Sequence, residues 1–194
     1  LDSQAVMLPR AGIVNRLDKD TSGLMVVART RKAMDALVDM IAKREVHREY
    51  LAVGYRKWNS ANPLREVQEA IGRDNRNRLR MAVVDLERLP GKPAHTSFEC
   101  LSSQEEACLV RCVLHTGRTH QIRVHMAHIG HPLLGDAIYA GPMQLGISRQ
   151  ALHAYRLRFH HPITGEPLAF ESVLPSDMGD LLDRLGLQRL GNRL

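Results

Sequence analysis

Nine residues, Asn15-Arg16-Leu17-Asp18-Lys19-Asp20-Thr21-Ser22-Gly23, hold two carboxylates, two cations and two hydroxyls. Groups of this kind can act as nucleophile, general base or general acid, provided that they are held still. By composition the stretch also reads as a solvated turn, because Asp, Thr, Ser and Gly are ordinary turn formers. Composition alone favours that reading, and the neighbours supply the alternative. Ile13-Val14 precedes it and Leu24-Met25-Val26-Val27-Ala28 follows it. The second run is short, β-branched and preceded by a glycine, which predicts a buried strand. A polar loop running straight into a buried strand is held rigidly, and that is where reactive side chains are useful. Asp18 and Asp20 stand two residues apart, and on an extended chain that step places one away from the other.

A second segment with chemical potential is Thr116-Gly117-Arg118-Thr119-His120-Gln121-Ile122-Arg123-Val124-His125. Gly117 is expected to end a strand and Thr119 to cap a helix, with Ile122, Met126 and Ile129 on one face. The helix would then begin beside Arg118 and Thr119, which favours anions there. Arg123, one turn in, could reach back to a carboxylate. Five histidines lie between His115 and His131, which invites a metal. On a helix, however, His125, His128 and His131 rotate away from one another, and neither Cys nor acid is spaced to help. No metal site is expected. Tyr50 alternates against Leu51 and Val53 and reads as a half-buried packing residue. Arg73, Arg76, Arg78 and Arg80 form a cluster that is either a solvated hairpin or a set of phosphate contacts.

The elements that would position these groups alternate short strands with sparse helices. Residues 1–12 read as an approach segment, 13–187 as one domain and 188–194 as a tail. A helix is expected over 30–44, with Thr30 as N-cap and Ala33, Leu37, Val38 and Ile41 as its apolar stripe. Strands are expected over 48–55, 81–84, 94–101, 107–114, 152–159 and 167–173, with a polar stretch over 58–80 and a turn over 89–93. An amphipathic helix over 175–187 closes the chain. This order implies an α+β fold, a mostly antiparallel mixed sheet with helices packed on it.

Composition bounds the partners. A chain of 194 residues, 44% apolar and 25% charged, is long enough to bury a real core in one domain. No apolar run is long enough to span a membrane. Cys100, Cys108 and Cys112 lack metal-type spacing and suggest reduced thiols and a cytoplasmic setting. A net charge of +6 suits a polyanion without demanding one. Only 4% of residues are aromatic, which argues against a surface that stacks many bases on exposed rings.

The segment from Arg16 to Leu24 resembles the signature loop of the RNA pseudouridine synthases of the RluA type. The similarity extends through Arg48-Glu49-Tyr50-Leu51-Ala52, Thr116 to His125, His131 to Tyr139, Leu152-His153-Ala154 and His161 to Glu166, and so covers about residues 9–178. The resemblance implies the pseudouridine synthase catalytic fold, with Asp18 as the catalytic carboxylate and Arg123 paired with it. It implies Tyr50 stacked on the target base as a candidate for proton transfer at carbon 5, and Arg16 entering the space that the flipped base leaves. Arg118, His120, Arg73 and Arg76 are the candidate phosphate contacts. The implied reaction moves the ribose bond from nitrogen to carbon of the same base, so no redox cofactor or group donor is needed. The implied partner is large-subunit ribosomal RNA, met by a monomer in the cytoplasm.

The resembled family commonly has His where this chain has Asn15, and Asn cannot carry a proton at neutral pH. The family's leading strands and small amino-terminal RNA-binding module are not found in this sequence. Those departures keep a non-catalytic RNA-binding or ribosome-assembly module as a rival. A retaining glycosidase or nucleosidase is a second rival; it needs two acids about 5 Å apart, and only Asp18 and Asp20 are candidates.

Overall fold

The computed structural model describes residues 3–59, 61–143 and 146–188; residues 189–194 of the expected tail and the first two residues of the approach segment lie outside the described residues. In chain order the elements are helix α1 (Ser3–Val6), strand β1 (Ser22–Gly23), helix α2 (Arg31–Ala42), strands β2 (His47–Tyr55), β3 (Leu64–Val67), β4 (Ile71–Arg73), β5 (Met81–Val83), β6 (Gly91–Lys92), β7 (Thr96–Ser103) and β8 (Ala107–Leu114), helix α3 (Gln121–His128), strands β9 (Leu152–His160) and β10 (Pro167–Glu171), and helix α4 (Ser176–Arg184). The fold is α+β. Seven strands form the main sheet in the order β1-β9-β2-β8-β7-β3, with β10 also on β9; β5-β4-β6 is a separate three-stranded sheet. Every pairing is antiparallel except β1 with β9, which is parallel.

Strand β2 runs through the middle of this sheet, buried from Glu49 to Gly54. Alternate residues serve two cores, as strand geometry requires. Tyr50 and Ala52 face one cluster with Phe98, Val110, Ile122 and Met126, which brings α3 onto that face. Leu51 and Val53 face another with Leu109, Tyr155, Met178 and Leu181, which seats α4 on the opposite face. Helix α2 covers Ala28, Val46, Leu157 and Phe159 through Leu37, Met34 and Ile41. Thr30 caps it, its Oγ1 accepting from the Ala33 N–H at 3.2 Å.

Four local expectations fail for physical reasons. Residues 24–28 do not form a buried strand: β1 is only Ser22–Gly23, and the run beyond it makes irregular bonds. Its amides go to Ala154 O (from Leu24, 2.8 Å), the Asn15 side chain (from Val26, 3.3 Å) and Gly12 O (from Ala28, 2.8 Å). The β-branched pattern here reflects an edge tied down piecewise. Val38 is 48% exposed, so the buried stripe of α2 runs through Met34, Leu37 and Ile41 instead. Trp58, placed by sequence in a polar stretch, is 1% exposed, with its indole N–H on Asn62 O. The turn expected over 89–93 contains the paired residues of β6, which bond to β4. Among the described residues no helix is long and apolar enough to cross a membrane.

Candidate active site

The loop carrying Asp18 is held from below. The Thr21 N–H donates to Asp18 O at 3.0 Å, closing a turn. From the segment before β9, the buried Gln150 amide donates to Lys19 O at 2.6 Å and to Thr21 Oγ1 at 3.0 Å. Arg149 donates to Asp20 O at 3.1 Å, and its guanidinium is itself fixed by Asp177 of α4 at 2.7 and 2.8 Å. The Asp177 carboxyl is held below its usual range, first by the Arg149 hydrogen bond. The loop then enters β1, where Gly23 adopts φ 111° and a Cβ would sit 2.1 Å from Ala154 O. Only glycine fits that approach. Opposite lies a bulge: β2 shifts register on β9 between Glu49 and Tyr50, which re-aims the strand where Tyr50 leaves it.

Asp18 faces an open cavity of about 750 Å³. Its wall includes Tyr50, His120 and five arginines, Arg10, Arg16, Arg44, Arg48 and Arg118. Among the described residues Asp18 is the one carboxylate in that lining. Arg118 is steadied by a 2.9 Å bond from its Nε to Pro93 O. The Arg48 guanidinium lies against Gly117, where a Cβ would meet Nη1 at 3.0 Å. Sequence reading assigned Arg48 no role. Burial lowers its pKa, opposed by the neighbouring Tyr50. Burial likewise raises the Tyr50 pKa, with Asp18 adding to the rise and Arg48 opposing it; at neutral pH the side chain is a neutral phenol.

Arg123 lies behind this wall, 4% exposed at its side chain. Its Nη1 is 3.6 Å from Asp18 Oδ2, as the resemblance implied, but that is the looser of two contacts. Its principal partner is Asp136, which accepts from Nε at 2.7 Å and from Nη2 at 2.8 Å. Asp136 also accepts the Ile138 and Tyr139 N–H groups, capping a short 3-10 turn. Burial pulls the Arg123 pKa down, but the bonds to Asp136 and the charge of Asp18 outweigh it, so the guanidinium stays charged. The guanidinium carbon also sits 5.1 Å from the Tyr139 ring centre.

Tyr139 ties three parts together. Its hydroxyl accepts the Met81 N–H at 3.0 Å and lies 2.9 Å from His120 Nδ1. Burial lowers the His120 pKa and raises that of Tyr139 to about 12, consistent with two neutral rings. His120 itself precedes α3 in the left-handed region at φ 57°, without a side-chain cap. Thr119 therefore does not cap; the turn before the helix is held by Gln121, its Oε1 accepting from the Arg118 N–H at 2.9 Å and from the Thr116 hydroxyl at 2.7 Å.

Of the residues singled out by sequence, Asp18, Tyr50, Arg16, Arg118 and His120 line one cavity and Arg123 backs it. Arg73 and Arg76 do not line it. Arg73 donates to Arg78 O and the Arg76 N–H bonds Asp74, within an exposed hairpin whose Arg80 pairs with Asp74 at 2.5 Å. Asp20 is exposed at φ 69° and lies outside the lining, so Asp18 and Asp20 do not make an acid pair across it. The helical histidines do not converge either. His125 bonds Thr96 and Glu69 O, and His131 bonds Tyr55 O and stacks on Trp58. Asn15, in place of the resembled family's His, uses its carbonyl to hold the Val26 N–H, a task that needs an acceptor and no proton. Asp136, Tyr139, Gln150 and Arg149 were missed as site residues; the signal at 136–139, an Asp placed to cap a turn ending in Tyr, was present in the sequence.

Comparison with known proteins shows the family. Residues 4–128 match the family model described as RNA pseudouridylate synthase. The ribosomal large subunit pseudouridine synthase D of Neisseria meningitidis serogroup A is 47% identical over 194 aligned residues, covering 93% of this chain and 50% of that protein. That of Vibrio parahaemolyticus is 45% identical, covering 92% and 57%. The chain thus spans about half the length of the curated relatives it matches. Among solved structures, the human RNA pseudouridylate synthase domain containing 4 superposes with a TM-score of 0.73 at 25% identity, covering 91% of this chain and 76% of that one. The human domain containing 1 superposes at 0.71 and 25%, covering 90% and 79%.

Proposed function

The chain belongs to the RNA pseudouridylate synthase family, and from that premise we propose that it isomerises uridine to pseudouridine in large-subunit ribosomal RNA, with Asp18 as the reacting carboxylate. The observation that carries this reading is one carboxylate set among five arginines in a cavity of about 750 Å³. A wall of that sign attracts a phosphodiester chain, whose contacts position the RNA. The cavity is large enough for a nucleotide turned out of its stack, as chemistry on the glycosidic bond requires.

In the reaction the bond from C1′ to N1 breaks, the base turns, and C1′ joins C5. The C5 proton is then lost and N1 ends protonated, so atoms and electrons balance without a co-reactant. Asp18 serves as the nucleophile at C1′ or as the base at C2′; both need an anionic carboxylate with an accessible oxygen. Arg123 favours the anion from behind, at 3.6 Å. The neutral Tyr50 ring is suited to stack on the turned base and to exchange a proton near C5. Arg16 fills the gap left in the RNA, and Arg118 and His120 meet phosphates. Arg73 and Arg76 meet more distant RNA from their exposed hairpin. The protein acts as a monomer in the cytoplasm, where its substrate is made.

The test is tritium release from large-subunit RNA transcripts carrying 5-tritiated uridine. The expected result is release by the wild type and none by Asp18→Asn, with RNA binding retained in both. Equal release by Asp18→Asn would refute the assignment of Asp18. Binding without release by the wild type on any transcript would favour the RNA-binding rival.

A further inference from the structure

We propose that Glu66, His95 and His115 form a binding site for a zinc-class divalent cation at the rim of the cleft. The three residues come from different places in the sequence, and strand pairing brings them together. Glu66 on β3 pairs directly with Ser97 on β7. His95 precedes β7 and His115 follows β8, and the His115 N–H donates to His95 O at 3.2 Å. The two imidazoles stack with centres 4.1 Å apart and planes at 19°.

Their ligand atoms face a common point. One oxygen or nitrogen from each of the three lies within 4.8 Å of the others. The Ser97 hydroxyl sits among them, donating to Glu66 Oε2 at 2.8 Å and lying 2.6 Å from His115 Nε2. The same Glu66 oxygen is 2.6 Å from His95 Nε2. A hydroxyl and hydrogen bonds thus engage the atoms that a cation would take. Ligands on a tetrahedral zinc lie roughly 3.4 Å apart, given bonds of about 2.1 Å. The approach needed is on the order of one ångström, and Glu66 is exposed while both histidines are only partly buried. Side-chain rotation can supply it.

Two imidazole nitrogens and one carboxylate oxygen suit zinc, nickel or copper rather than magnesium or calcium. Three protein ligands leave one position open to water. His115 is also part of the cavity wall, so the ion would stand at the cleft edge. The site uses none of the residues assigned to the isomerisation and does not depend on that assignment.

The experiment is a titration of the chelator-treated full chain with zinc chloride at pH about 7.5, above the ordinary histidine pKa, read by calorimetry. Long-range nitrogen–proton spectra of the histidine rings are recorded in parallel. One saturable site is expected, with resonances of two rings perturbed. His95→Gln and His115→Gln are each expected to weaken binding at least about tenfold, an effect no smaller than removing an outer-shell partner. His128→Gln, an exposed histidine outside the cluster, is expected to leave it unchanged. The proposal is overturned by the absence of saturation at about 0.1 mM zinc, by equal binding in the His95 and His115 variants, or by loss of binding in His128→Gln. The ring spectra test the wild type directly and so do not depend on any variant folding.

Discussion

The Arg123–Asp136 pair offers a measurement whose outcome follows from burial. The Arg123 and Asp136 side chains are 4% and 1% exposed, so solvent screening contributes little. They share two bonds of 2.7 and 2.8 Å. Arg123→Met would leave the Asp136 carboxylate buried with only the two capping N–H groups. Asp136→Asn keeps an oxygen for that cap but leaves the guanidinium facing an amide that supplies one acceptor in place of two. Removing one member of a buried pair strands a charge and costs about 3 kcal/mol or more. For a chain of this length that is a fall in melting temperature of roughly 6–12 °C. In the double variant neither charge is stranded, so its loss should fall short of the sum by about 2 kcal/mol. Urea unfolding of the four proteins, followed by circular dichroism at constant slope, measures this coupling. Additivity within about 0.5 kcal/mol would refute the view that the fork is a coupled unit.

Three further outcomes follow. Gln150→Ala removes the donor that holds Lys19 O and Thr21 Oγ1; we expect a stability loss of about 1–3 kcal/mol and a larger fall in kcat than in RNA affinity, and a change confined to affinity would contradict a positioning role. Gly23→Ala would drive a Cβ to 2.1 Å from Ala154 O; release of the β1–β9 contact should abolish tritium release while the urea transition remains cooperative, and full activity would show that the loop tolerates displacement. Burial lowers the pKa of His125 and of His153, so below the unfolded histidine value of about 6.5 the unfolded chain takes up protons that the folded chain refuses. Stability should therefore be level above that pH and fall as pH drops, by at most about 1.4 kcal/mol per pH unit for each such histidine, until the depressed folded pKa is passed. Urea midpoints from pH about 7.5 to 5.5 check this, and a midpoint that rises on acidification would be the wrong sign.

Local signals carried the elements that depend on local chemistry. The Thr30 cap and the spacing of apolar residues locate α2, and alternation over 107–114 locates β8 to its observed bounds. Where an element's state depends on what lies beside it, the pattern misleads. Residues 24–28 carry strand residues, but they lie at an edge served by three unrelated acceptors. Trp58 stands among polar residues and is drawn into the core by its contact with His131, 73 positions on. The same limit governs the cleft. Asp18 and the Arg118–His120 segment stand out by type and by resemblance. Gln150 and the Glu66–His95–His115 group become visible only once strand pairing has brought distant segments together.

The arrangement of Arg123 explains why two aspartates beside one guanidinium have different prospects. A carboxylate gripped by both arms of an arginine has its lone pairs committed and its charge neutralised. That is the condition of Asp136, which in addition takes two backbone donors and lies outside the cavity lining. Arg123 has one nitrogen, Nη1, left over, and this stands 3.6 Å from Asp18 Oδ2, too far for a strong hydrogen bond. Asp18 thus receives the field of the cation without its grip, and its oxygens remain available on the cavity side. For the role proposed for Asp18, a fork centred on it would commit both oxygens and make it a poorer nucleophile and a poorer base. By occupying the fork, Asp136 leaves the Asp18 oxygens uncommitted, as the role proposed for Asp18 requires.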